Sequence, residues 1–71
     1  MLMRLYDERL VPDLEAHFVR SGITVERLGG SLIQVTRPFR QEDGAFRQEI
    51  ASHLRIWQAI HPDAKVEILP P

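Results

Sequence analysis

The sequence predicts an α+β domain of the ferredoxin-like type, βαββαβ, with a four-stranded antiparallel sheet and two helices on one face. Three observations carry that expectation. Two runs rich in β-branched residues flank Gly29-Gly30; an amphipathic stretch stands on either side of this hairpin; and short apolar runs open and close the chain. Two strand-like runs joined by Gly-Gly form a strong hairpin signal, because the favoured two-residue turns need positive φ.

The first element is the one with a competitor. Met3, Tyr6, Leu10, Leu14 and Phe18 recur at helical spacing, as they would in one long helix. Pro12 would then sit in mid-helix, removing a hydrogen bond and clashing with the carbonyl of Glu8 at a cost of about 3 kcal/mol. Proline is at ease only in a helix's first turn. The reading is therefore a strand over Met1–Tyr6, a turn over Asp7–Arg9 and a helix over Leu10–Arg20. A helical first segment would give αββαβ and a three-stranded sheet.

Arg20 suits the negative end of that helix, and Ser21-Gly22 supplies its stop. Ile23–Leu28 and Ser31–Thr36 alternate in polarity and form the hairpin strands. Arg37-Pro38 ends the second of them, since proline cannot donate to the ladder. The second helix is expected from Glu42 to His61, with an acidic start and Pro62 after its end. Projected at 100° per residue, Phe46, Ile50, Leu54, Trp57 and Ile60 share one face with Ile56 at its border, while Arg47, Ala51, Arg55 and Gln58 point away. Lys65–Leu69 alternates as a last strand. No repeat, linker or low-complexity tract divides the chain, so residues 1–71 read as one domain.

Alternation also sorts the sheet residues. Met3, Leu5, Ile23, Val25, Ile33, Val35, Val66 and Ile68 are expected to face the helices. Leu2, Arg4, Tyr6, Thr24, Glu26, Leu28, Leu32, Gln34, Thr36, Lys65, Glu67 and Leu69 fall on the open side. That side carries four leucines and a tyrosine among polar groups, a mixture suited to a contact surface.

The bulk composition narrows function by exclusion. Seventy-one residues bury only about 60% of the surface the unfolded chain exposes, so a second copy is a natural source of stability. Without cysteine there is no disulfide, thiolate metal site or cysteine nucleophile. A net charge of −1 does not fit a general nucleic-acid coat. No apolar stretch approaches the roughly 20 residues a membrane span needs. The N-terminal residues lack the pattern of a secretion signal, and with the missing cysteines this leads to an expected cytoplasmic location.

No catalytic constellation emerges. Ser52 and His53 are adjacent on a helix and diverge by about 100°. Ser31 follows a hairpin glycine pair, with no strand-to-helix elbow. His53 and His61 stand eight residues apart, about 12 Å along a helix, too far to grip one ion, and His17 belongs to the other helix. No cofactor or metal is therefore expected. Glu49 and His53 sit four residues apart and are expected to touch. Arg37, Arg40 and Arg47, with Arg27 across the hairpin, form a candidate anion or nucleic-acid cluster. Phe39 stands inside that loop.

The expected function is a non-enzymatic protein–protein interaction or assembly module, homodimeric through the open sheet face or an edge strand. Its contact residues would be Arg4, Tyr6, Leu28, Leu32, Gln34 and Leu69. The alternative is a small nucleic-acid-binding or regulatory protein working through Arg27, Arg37, Arg40 and Arg47.

Overall fold

The computed structural model describes residues 1–38 and 41–70; Phe39, Arg40 and Pro71 lie outside it. It is α+β, with strands β1 (Leu2–Leu5), β2 (Thr24–Gly29), β3 (Leu32–Thr36) and β4 (Val66–Ile68), and helices α1 (Val11–Arg20) and α2 (Gly44–Ile60). The sheet is open, with the order β2-β3-β1-β4, and every neighbouring pair is antiparallel.

Proline placement decides the first third of the chain. Pro12 falls in the first turn of α1, where its missing N–H costs nothing, and a 3-10 turn over Glu8–Leu10 leads into it. Asp7 caps this turn, accepting from the Arg9 backbone N–H at 3.1 Å. The long-helix alternative is thereby excluded, and β1 pairs with both β3 and β4. α2 begins two residues later than expected. Asp43 is its N-cap and accepts the Phe46 N–H at 2.8 Å, which ties down one of the orphan donors of the first turn.

The hairpin departs from the sequence reading by one residue. Gly29 belongs to β2 and pairs with Leu32, so the chain turns at Gly30-Ser31. Leu28 is an extra residue between the Arg27↔Ile33 and Gly29↔Leu32 pairs, a β-bulge. The bulge has a clear cause. A two-residue turn at Gly29-Gly30 with no bulge would set Val25 opposite Gln34, putting apolar and polar residues on one face. With the bulge Val25 lies opposite Val35, and both stand on the helix side.

The core lies between that side and the two helices. Met3, Leu5, Ile33 and Val35 from the sheet meet Val11, Leu14 and Phe18 of α1 and Phe46, Ile50, Leu54 and Trp57 of α2, with Ile23 before β2. Burying each large apolar side chain contributes about 1.5–3 kcal/mol. Two apolar residues assigned to this core stand largely outside it. Ile60 closes α2 and is 69% exposed, and Ile68 on the short edge strand β4 is 44% exposed. Ile68 lines a cleft of about 530 Å³ between α2 and the strand ends, with Met1, Leu2, Glu42, Arg47, Gln48, Ala51, Leu69 and Pro70.

Candidate functional site: the open sheet face and the seam between the helices

Strand pairing places the open-face residues in rows. Glu26, Gln34, Leu2 and Leu69 form one row across the sheet, from β2 to the residue after β4. The next holds Leu32, Arg4 and Glu67, with the bulge residue Leu28 beside Leu32. Tyr6 and Lys65 follow beyond the strand ends, joined by a backbone hydrogen bond. Leu69, Leu2 and Leu32 therefore run diagonally across the sheet, each half-buried, with Leu28 (45% exposed) at the end of the line. Tyr6, 63% exposed, donates its hydroxyl to Glu67 Oε1 at 3.2 Å, and Arg4 Nη1 lies 3.8 Å from the same oxygen. All six expected contact residues, Arg4, Tyr6, Leu28, Leu32, Gln34 and Leu69, thus lie on or beside one surface.

The arginines are not gathered in the same way. Arg27, on the helix side of β2, gives both Nε and Nη2 to Glu15 of α1, the shorter contact at 2.6 Å. Arg37 leaves the other end of the hairpin, about 13 Å further along the strand. It forks onto both oxygens of Glu49 at 2.9 and 2.8 Å and donates to the Ser21 carbonyl at 3.2 Å. The Glu49 hydrogen bonds raise the pKa of Arg37 further above its ordinary value. Arg47 lines the cleft, and Arg40 lies outside the described residues, as does Phe39. Around the cleft, the Met1 amino group donates to the Val35 carbonyl and pairs with Glu42; burial, then the Arg47 charge, lower its pKa.

Where the sequence suggested a Glu49–His53 pair, the structure engages Glu49 with Arg37 and brings His53 to His17. Nε2 of His17 stands 3.2 Å from Nδ1 of His53, across the seam between α1 and α2. Their rings meet edge-on, and His53 also meets Phe18 edge-on. Burial is the main cause that lowers the His17 pKa, followed by the charges of His53 and Arg20, with Asp13 opposing them. The third histidine joins the same seam: His61 stacks on Trp57, and its Nε2 lies 2.7 Å from Asp13 Oδ2. Three polar contacts therefore clip the helices together: Asp13–His61, His17–His53, and Ser21 to Glu49 through Arg37.

Sequence reasoning missed this convergence, although a signal was present. Asp13 and His17 stand four residues apart on α1 and so share a face, which Ser21 continues at the helix's C-cap. Among the described residues no group of three or more histidine, aspartate, glutamate or cysteine side chains is arranged to hold a metal ion. No helix among them is long and apolar enough to cross a membrane. Comparison of the chain with family models, with curated proteins and with solved structures finds no match to any of them.

Proposed function

We propose that this chain is an assembly module that pairs with a second copy of itself through the open face of its sheet. The strand order β2-β3-β1-β4, with both helices packed on one face, is on this reading the ferredoxin-like split βαβ arrangement. The observation that carries the proposal is the diagonal of Leu69, Leu2, Leu32 and Leu28 on a sheet face that no described element covers.

Edge pairing is the weaker route. β2 carries a bulge and ends in glycine, and β4 is three residues long and followed by proline, both devices that blunt an edge. The face is also self-compatible in charge. Arg4 and Lys65 balance Glu26 and Glu67, so a second copy meets no excess of like charge. Two such faces would pack about 10 Å apart with their strands roughly 30° out of line. Leu32 and Leu2 would sit at the dry centre, with Arg4, Gln34 and Tyr6 fixing alignment around them.

Sedimentation equilibrium over a range of concentrations tests this. The expected result is a dimer that Leu32→Glu converts to a folded monomer. A chain that is monomeric throughout, or a dimer indifferent to Leu32→Glu, would overturn it.

A further inference from the structure

We infer that His17 and His53 form a cross-helix chelating pair for a late first-row divalent ion such as Zn²⁺ or Ni²⁺, with water completing the coordination. Two nitrogens bound at 2.0–2.1 Å to one tetrahedral ion stand about 3.3–3.4 Å apart. Nε2 of His17 and Nδ1 of His53 already stand 3.2 Å apart. At that separation the ion sits about 1.2 Å off the line between the nitrogens, so each ring turns by about 35° to aim its lone pair at the ion while the nitrogens part by only about 0.1–0.2 Å.

The spacing is held from outside the pair. Each ring comes from a different helix, so helix packing sets the distance between the two nitrogens. That packing is pinned on one side by Asp13–His61 and on the other by Arg37, which grips Glu49 and the Ser21 carbonyl. Both rings are half-buried, which leaves an approach for the ion and its water.

The carboxylates nearest in sequence are committed elsewhere. Asp13 and Glu49, one turn before each histidine, are held by His61 and Arg37. The pair thus offers two imidazole nitrogens and, among the described residues, no third protein donor, which suits zinc and nickel and offers little to magnesium or calcium. In the metal-free pair one ring donates its N–H to the other. On binding, that ring carries its proton on its remaining nitrogen, so two neutral imidazoles present lone pairs and no net proton is released.

The test uses the full chain without a histidine tag. Thermal unfolding is followed against ZnCl₂, NiCl₂ and MgCl₂, and the histidine ring signals are followed by NMR. The midpoint is expected to rise about 4–8 °C when free zinc is about five times its Kd, with no response to magnesium. The His17 and His53 ring signals should shift together. His17→Gln or His53→Gln should each abolish the response, whereas His61→Gln, which unpins the helices without removing a ligand, should weaken it and leave the His17 and His53 rings shifting together. A midpoint that stays flat to about 1 mM zinc, a response that survives His53→Gln, or zinc-dependent shifts that follow the His61 ring in place of His17 and His53 would overturn the assignment. If a variant fails to fold, the ring signals of the unsubstituted chain decide. Shifts of both rings support the pair; no shift, or a shift of His61 alone, refutes it.

Discussion

The two hairpin glycines should respond differently to the same substitution. Gly30 opens the turn at φ +54°, inside the left-handed well, whereas Gly29 closes β2 at φ +128°, outside it. A Cβ added at either position meets nothing within 4 Å, so any cost is conformational. An L-residue in the left-handed well costs about 1–2 kcal/mol, and replacing glycine returns about 0.4–1 kcal/mol by restricting the unfolded chain. Gly30→Ala is therefore worth about 0.8 kcal/mol of destabilisation, and Gly30→Asn less, because asparagine tolerates that well. At Gly29 the penalty is about 1–3 kcal/mol, leaving a net loss of about 1.3 kcal/mol. For a domain of this size these losses lower the melting temperature by about 3–6 °C and 5–10 °C respectively. Circular dichroism melts at one fixed protein concentration measure both, so that any self-association cancels. The reasoning fails if Gly29→Ala is no more destabilising than Gly30→Ala, the result expected of a turn centred on Gly29-Gly30 with both residues left-handed.

Substitutions at Trp57, Asp43 and Arg37, and the titration of His17, have equally definite outcomes. Trp57→Ala should cost about 3–5 kcal/mol in urea denaturation. Trp57→Phe should cost under about 2 kcal/mol, since it removes the buried Nε1 donor that has no partner among the described residues. Asp43→Ala should lose about 1 kcal/mol with the N-cap of α2, read in the same assay. Arg37→Lys should lower the melting temperature, because an ammonium cannot fork onto both Glu49 oxygens while reaching the Ser21 carbonyl; an unchanged melt would show the clasp to be idle. In EDTA, stability should fall as pH drops from about 6.5, the ordinary histidine value, toward the lowered value of His17. The native state binds fewer protons than the unfolded chain across that window, so stability rises with pH. Comparing melts at either end of the window with those of His17→Gln, whose dependence should be flatter, checks this.

Much of the fold was legible because its strongest signals are local. A single proline, Pro12, separated a strand from a helix, and alternation placed Met3, Leu5, Ile33 and Val35 in the core. What escaped depends on how elements meet. Face assignments that set Val25 with Val35 already required an extra residue in the hairpin, yet nothing local marks Leu28 as that residue. Ile60 continues the helical stripe perfectly and is still exposed, because the stripe outlasts the structure it packs on. At the seam the failure was one of range. Glu49 and His53 are neighbours by sequence, but an arginine from the end of β3 and a histidine from α1 compete for them and win. A bidentate guanidinium on a carboxylate gains two charge-assisted hydrogen bonds where a histidine could offer one.

That competition bears on how the domain divides its work. The seam uses polar contacts where two apolar helices could have packed in several registers, and each contact is satisfied only in one. Shifting α2 by a turn would part His17 from His53, Asp13 from His61 and the Arg37 fork from Glu49 together. Such contacts add little net stability beside an apolar substitute, but they penalise the alternatives. A fixed helix register fixes in turn the side chains the helices press on the sheet. The strands then have one choice of which residues to turn outward. The leucine diagonal on the open face is thus presented in a single arrangement by polar groups on the far side of the core, a constancy that the proposed pairing with a second copy would require.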